Sequence, residues 1–389
     1  MNTVWLLSLV SFFTDMGSYM VVPLIPFVLA SSGPVVIGII DGVAESLTSI
    51  LKLWSGHASD SRKNHKRMAV FGYGLSGVGR LFLLVSVSWY GVFIWKLVDR
   101  IGKGIRTAPR DALISLAGGK RQGRSFGLHQ MMDMLGAAIG VGIAYLLLKA
   151  GDRDDYRTIF AASVIPVLLG LAFLMKVKNP SKAMPKESKT RPGGFMESWK
   201  RLDFRTKRLL WILLFFTFAN SSNSFLLLRA YELGVSAADT LLLYLVFHLL
   251  SSLLAYVFGS FSDRFGSRLI LTLGYALYAA IYVQFGYSAS VADLWIGFGL
   301  LGIYSAMTKG VEKAVIAKSA PADTKATALG AYSLFTGIGL LPSSLLMGVV
   351  WEAFGSRAAF TLCGGIALLT AVSIYGVLGI KSNKSRISS

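Results

Sequence analysis

The chain has 389 residues, 54% of them hydrophobic and only 15% charged, and its mean hydropathy is +0.59. A soluble domain has too little interior to hide that much apolar surface, so the composition excludes one and points to a bilayer. The formal net charge of +19 does not imply nucleic acid, because Lys and Arg gather in loops between apolar segments; the single cysteine, Cys363, excludes a disulfide framework and a thiolate metal cluster.

Twelve apolar segments of about 20 residues follow one another, each long enough to cross a membrane. They are Trp5–Ala30, Val35–Ser55, Met68–Val87, Tyr90–Leu116, Phe126–Leu148, Ile159–Met175, Leu209–Ala230, Thr240–Phe261, Leu269–Tyr287, Val291–Ala314, Ala326–Val350 and Ala358–Leu378. The first lacks a basic leader and carries Asp15, Pro23 and Pro26, so it reads as a span and not as a cleaved signal peptide. Basic residues crowd the second halves of the fourth and tenth. Between the sixth and seventh, Lys178 to Arg208 is polar, with Pro180, Pro185, Pro192 and Gly193-Gly194. That stretch reads as a linker, within which Phe195–Leu202 is expected to form a short interfacial helix. The expected organisation is an all-α integral membrane protein: a first six-helix half over residues 1–177, a basic cytoplasmic linker over 178–208, and a second six-helix half over 209–389 ending in a short basic tail.

Loop charges set the orientation. Arg62, Lys63, Lys66 and Arg67 follow the second segment, Lys120, Arg121 and Arg124 the fourth, Arg264 and Arg268 the eighth, and Lys381, Lys384 and Arg386 close the chain. The alternate loops (Ser31–Pro34, Ser88–Trp89, Gly151–Asp155, Ser288–Ser290) are short and neutral or acidic-leaning. Both termini and the linker are therefore expected in the cytoplasm, with the chain in the cell inner (plasma) membrane.

One motif occurs twice. Ser55-Gly56-His57-Ala58-Ser59-Asp60-Ser61-Arg62-Lys63 leads to Phe71-Gly72-Tyr73, and Gly259-Ser260-Phe261-Ser262-Asp263-Arg264-Phe265-Gly266-Ser267-Arg268 leads to Leu273-Gly274-Tyr275. Each time a Gly, an Asp four residues on and a basic cluster join two apolar segments, which describes a protein made of two similar halves. Together with the twelve segments and the basic linker, this repeat resembles the major facilitator superfamily over the whole chain. Arg100-Ile101-Gly102-Lys103-Gly104 looks like the Arg-x-x-x-Gly motif of its proton-coupled members. Gly136-Ala137-Ala138-Ile139-Gly140-Val141-Gly142 resembles the glycine motif of its antiporter branch, with Val141 where that branch carries Pro. Phe13-Thr14-Asp15-Met16 and the run from Asp99 to Leu113 are similar to a group of uncharacterised bacterial permeases, which usually carry a second acid where this chain has Tyr19. The resemblance implies that the Asp60 and Asp263 turns, with Gly56, Gly259, Arg62, Arg264 and Arg268, form a cytoplasmic latch.

A charge at the centre of a spanning helix costs about 2.5–3.5 kcal/mol on insertion scales, so such residues usually face a cavity and work there. Asp15 lies mid-segment with no partner within one turn and is expected to carry a proton. Asp41 and Glu45, four apart on one helix face, would raise each other's proton affinity; His129 and Asp133 are likewise four apart. Asp133 is grouped with the proton-coupling acids and His129 with the gate. Asp99, Lys103, Arg106 and Arg110 form one stripe with Arg100 beside it. Arg100, Lys103 and Arg106 are expected in the substrate cavity, while Arg110 and Asp111 are expected to latch onto the Asp60–Arg67 turn. Aligning the halves sets Arg110-Asp111 against Glu312-Lys313 with charge order inverted, so the fourth and tenth segments would meet across the closed gate. Lys309, Tyr19, and Asn220, Asn223 and Arg229 on one face of the seventh segment complete the cavity expectation. His248 is expected as packing. Met131, Met132 and Met134 do not face one point, so no metal is expected.

No phosphate-binding loop and no nucleophile–base constellation stands out, so neither an enzyme nor a cofactor is expected. The expected function is a monomeric, proton-coupled transporter of a small organic solute working by alternating access. The lone acid of the first segment and the aromatic residues fit efflux. Excess cations fit an anionic solute in either direction, such as an organic acid, an organophosphate or a siderophore. A lipid flippase would use the same fold.

Overall fold

The computed structural model describes residues 3–22, 34–85, 89–150, 156–177, 199–200, 202, 204–220, 225–226, 229–230, 233–235, 237–320 and 324–379. Among them only helices and turns occur. They are α1 (Thr3–Val21), α2 (Pro34–Ser61), α3 (His65–Val85), α4 (Trp89–Gly118), α5 (Gln122–Ala150), α6 (Tyr156–Ala162), α7 (Val164–Met175), α8 (Phe204–Thr217), α9 (Ala237–Phe265), α10 (Ser267–Tyr287), α11 (Val291–Ser319), α12 (Lys325–Ile338) and α13 (Leu340–Gly379). Gly355, at φ 82°, divides α13 into two helical pieces.

Seven spans among the described residues are long and apolar enough to cross a membrane, against the twelve expected: 3–21, 122–149, 157–175, 242–265, 267–287, 291–319 and 346–378. Of the other expected segments, the one in α4 carries Lys96, Asp99, Arg100, Lys103, Arg106, Arg110 and Asp111, while the rest include positions whose side chains lie outside the described residues. The expected interfacial helix is described only at residues 199, 200 and 202; residues 199–200 are helical, and Trp199 stacks on Phe335 with ring centroids 5.6 Å apart.

Helix starts follow local chemistry. Ser290 and Asp293 form a reciprocal capping box at the head of α11, the side chain of each accepting the other's backbone N–H (3.3 and 2.9 Å). Within the first seven helices, α3 packs on α4, α1 on α5 and α7, and α2 on α4; within the last six, α10 packs on α13 and α9 on α11. The seam between these groups is carried by α5 against α9 and α2 against α12. A buried aromatic cluster fills the last group: Phe216 meets Tyr275 and Tyr278 (centroids 4.5 and 5.0 Å), and Tyr278 meets Tyr304 and Tyr282 (4.7 and 4.2 Å).

Arg80 ties the first group together. It is 1% exposed in the middle of α3, donates to the Ser18 hydroxyl of α1 (2.7 Å) and to the Ser163 carbonyl freed where α6 breaks into α7 (3.3 Å). Hydrogen bonds to a charged group contribute about 1.5–3 kcal/mol each. Arg80→Ala is therefore expected to lower the stability of the detergent-solubilised protein by about 3–6 kcal/mol, read as a fall in unfolding midpoint, whereas Arg67→Ala at an exposed position should leave that midpoint in place.

Candidate functional site

The seam is stitched at one end by two carboxylates. Asp60, at the end of α2, accepts the backbone N–H groups of Ala326 (3.3 Å) and Thr327 (2.6 Å) and the Thr327 hydroxyl (2.7 Å), all from the first turn of α12. Asp263, at the end of α9, accepts the N–H groups of Gly123 (3.0 Å) and Arg124 (2.7 Å) from the first turn of α5. Each acid thus serves as the N-cap of a helix in the opposite group, where orphan N–H groups and the positive helix end favour a negative charge. The close approach needs the two expected glycines: a Cβ on Gly56 would collide with the carbonyl oxygen of Ala326, and one on Gly259 with that of Gly123.

The bases expected around these acids do not complete the latch. Among the described residues none of Arg62, Arg264 and Arg268 pairs with an acid; Arg62 is exposed, Arg264 lies 5.3 Å over the Phe265 ring and Arg268 3.6 Å over Tyr375. Each has apolar or solvent-facing neighbours within reach, whereas the pairing base comes from α11: Lys318 contacts Asp263 at 2.8 Å. Beside Asp60, the His65 imidazole meets the Ser59 hydroxyl at 3.0 Å and the Asp60 carboxylate at 3.7 Å. Burial pushes His65 down to about 4, so the ring is neutral here.

Deeper along the seam, Asp111 of α4 is held by three bonds. Arg110 Nε and Nη2 donate to its Oδ1 (3.0 and 2.9 Å), and Lys313 of α11 meets its Oδ2 at 2.8 Å. Arg110 Nη1 donates to the Ser11 hydroxyl of α1 (3.1 Å), which lies 3.3 Å from the Tyr73 hydroxyl of α3. The expected latch from Arg110 and Asp111 to the Asp60–Arg67 turn is thereby corrected: their charges are spent on each other and on Lys313. The expected meeting of the fourth and tenth segments holds for Asp111 and Lys313 only. Glu312 instead accepts the Tyr275 and Tyr332 hydroxyls (2.5 and 2.6 Å) inside its own group.

A third layer lies above. His129 and Asp133 of α5 approach to 3.5 Å. Asp15 lies within electrostatic reach of Asp133, Lys103, Arg106 and Arg110, so acids and bases from α1, α4 and α5 converge. The Arg106 guanidinium rests 4.3 Å over the Tyr73 ring, while Asp99 is surrounded by Arg106, Arg100, Arg80 and Lys103. From the other group, Lys309 is solvent-accessible despite its mid-helix place, stands 5.9 Å over Phe247, and senses the charges of Lys103 and Asp133. A lysine so placed marks water-accessible space between the groups. Tyr19 packs edge-on against His248 (4.8 Å), and that imidazole meets the Met134 sulfur at 3.4 Å.

Two expected cavity residues each make one described hydrogen bond. Arg229 donates to the Ser288 carbonyl (2.5 Å), and Asn220 accepts from the Tyr278 hydroxyl (3.4 Å). Asn223 lies outside the described residues, as do the side chains of Asp41 and Glu45. Arg80, Lys318 and the two tyrosines on Glu312 were not anticipated. Arg80 sits between Gly79 and Leu81 in an apolar run, so the rule that singled out Asp15 applies to it as well.

A family model described as the Major Facilitator Superfamily matches residues 7–231 and 210–387. An uncharacterised MFS-type transporter of Methanocaldococcus jannaschii is 33% identical over 359 residues, spanning 90% of this chain and 89% of its own length. Among solved structures, the human organic anion transporter MFSD10 superposes with a TM-score of 0.78 at 16% identity, covering 96% of this chain and 98% of its own. The E. coli fucose:proton symporter FucP gives 0.75 at 15%, covering 95% and 98%.

Two outcomes are expected from this geometry. Asp111→Asn strands Arg110 and Lys313 as buried cations and should cost about 3–5 kcal/mol, whereas Lys313→Met leaves Asp111 with both Arg110 bonds and should cost clearly less; unfolding midpoints of the two variants give the ranking. For His65, whose folded value lies below the ordinary 6.5, the unfolded chain takes up the proton first. Its contribution is therefore full above pH 6.5 and lost as pH falls toward 4, and His65→Gln should flatten the fall of the unfolding midpoint across that window.

Proposed function

Because the chain belongs to the major facilitator superfamily, we propose that this membrane-embedded, multi-pass transporter is proton-coupled and moves a small organic solute outward by alternating access. In this reading twelve crossings form two six-helix halves, residues 1–177 and 209–389, joined by the linker over 178–208. The Asp60 and Asp263 turns, the linker and both termini face the cytoplasm, in keeping with their Lys and Arg content, and the membrane is the cell inner membrane. The described state is then closed toward the cytoplasm, and the working unit is a monomer.

The observation that carries the proposal is the convergence of Asp15 and Asp133 with Lys103, Arg106 and Arg110 at the seam, opposite the accessible Lys309. Protonating one of the two carboxylates changes the charge balance against these bases. Arg110 also holds the seam bridge through Asp111 and Lys313, so a proton arriving at Asp15 or Asp133 acts one layer from the gate. Binding a proton on one side of the membrane and releasing it on the other then biases which end is closed. The gate comprises the two N-capping acids, the Arg110–Asp111–Lys313 bridge, His129 and Glu312.

A second reading, transport of an anionic solute, rests on a specific feature. Arg106 stands over Tyr73 and Lys309 over Phe247, one cation from each proposed half, each backed by an aromatic face. An anion bridging them would draw the halves together.

The test is proton flux into liposomes holding the purified protein under an imposed pH gradient, with pooled anionic and cationic solutes. Flux tied to one solute class and lost in Asp15→Asn is the expected result. A folded Asp15→Asn variant that still couples solute to proton movement would sink the assignment of Asp15, and absence of any solute-dependent flux would sink the coupling reading.

A further inference from the structure

At the stitched end, beside the Asp263 cap, lies a cavity of about 470 Å³ open to the surface. Its walls come from both helix groups. Lys120, Arg121 and Arg124 project from the turn and first residues that join α4 to α5, while Tyr256, Asp263 and Arg264 project from α9. An adjoining cavity of about 290 Å³ shares Arg121 and Arg124 and is lined further by Trp5 and Leu128. Four bases thus line the first cavity against one acid, and that acid is already engaged by two backbone N–H groups and by Lys318. The bases are exposed and keep their charge for something else. Arg124 lies over the Tyr256 ring at 5.4 Å, which fixes its guanidinium at the cavity wall.

The surroundings say what that something is. Leu249, Leu253, Val257, Phe261 and Phe265 form an exposed ridge along α9, one row over from Tyr256, Ser260 and Arg264. Trp5, also exposed, flanks the adjoining cavity. In a membrane protein such a ridge faces acyl chains, and an interfacial Trp marks headgroup depth. A basic cavity at the head of an acyl-facing ridge matches a molecule with a phosphate at one end and two hydrocarbon chains at the other.

We propose that this cavity binds the phosphate headgroup of an anionic phospholipid, with its chains lying along the α9 ridge. Arginine forks hold phosphate oxygens in pairs, and a cluster of bases at the membrane surface draws anionic lipid at about 1 kcal/mol per base. Because the walls belong to two groups that meet only when this end is closed, the bound lipid favours the closed arrangement by mass action. The site therefore makes the opening of the Asp263 side dependent on the lipid around it. The proposal needs the membrane embedding and the closed seam, and is independent of proton coupling or solute.

The full-length protein in a neutral detergent is titrated with phosphatidylglycerol, phosphatidylcholine or inorganic phosphate, and the unfolding midpoint followed by tryptophan fluorescence. Phosphatidylglycerol is expected to raise the midpoint well beyond phosphatidylcholine, with inorganic phosphate giving little. The triple variant K120Q/R121Q/R124Q should weaken the phosphatidylglycerol response by tenfold or more in midpoint concentration, on the order expected for three lost bases, while R121K/R124K should retain it. K66Q/R67Q, near the Asp60 turn, should respond as the unmodified protein does. Equal responses to the two lipids would overturn the proposal, as would a triple variant that still prefers phosphatidylglycerol. A phosphate response equal to that of the lipid would overturn the lipid as occupant. Should the triple variant fail to fold, the contrast between R121Q/R124Q and R121K/R124K decides the same point: equal lipid preference in those two overturns the proposal.

Discussion

The first turn of a helix presents backbone N–H groups with no partner inside the helix, and at the seam of this protein those groups are answered from across the interface. Asp60 serves α12 and Asp263 serves α5, so each helix group is completed by a carboxylate of the other. Everything that packs between them depends on this reciprocity. Gly56 and Gly259 lie close because the caps draw the backbones together, and the Asp111–Lys313 bridge forms because α4 and α11 are brought within reach. Remove the caps and the bridge loses its geometry before it loses its charges.

Above the caps, the distribution of charge is uneven in a useful way. Asp111 takes three charged donors and Glu312 two tyrosine hydroxyls, so both acids are fully committed. Arg106 and Lys309 instead stand over aromatic rings. Aromatic-backed bases beside the Asp15 and Asp133 carboxylates make a place where charge arriving from outside changes the local balance. This gives the proposed solute and proton a common location without requiring that they share a residue.

Much of this was legible in the sequence and some was not, for physical reasons. The capping acids were readable because Gly-x-x-x-Asp recurs at the same place in both halves of the chain, and a turn between two apolar helices leaves such an acid few places to go. Such an acid was expected to hold a neighbouring helix end, and the first turns of α12 and α5 lie against Asp60 and Asp263; the acid pairing expected of the bases around them is absent for Arg62, Arg264 and Arg268 among the described residues, and Lys318 pairs with Asp263 instead. Opposite charges on aligned helices did identify Asp111 and Lys313, yet the same alignment misplaced Arg110 and Glu312, because it gives register and not the direction in which a side chain leaves its helix. The helical character of the described residues was plain from the sequence, and seven of the expected segments are apolar spans there, whereas the fourth carries too many charges to register as one.

The two caps differ in their exposure to water. Asp60 is 2% exposed and accepts backbone and hydroxyl donors of α12 from inside the seam, so mobile ions scarcely reach it. Asp263 shares its charge with a Lys318 side chain that is 38% exposed, where dissolved salt screens the attraction over about 8–10 Å. Ionic strength therefore acts on one edge of the seam and spares the other. Concentrated salt weakens the Lys318 attraction on the α5–α9 edge while the bonds of Asp60 to α12 keep their strength, so the two edges of one seam answer differently to the same solvent.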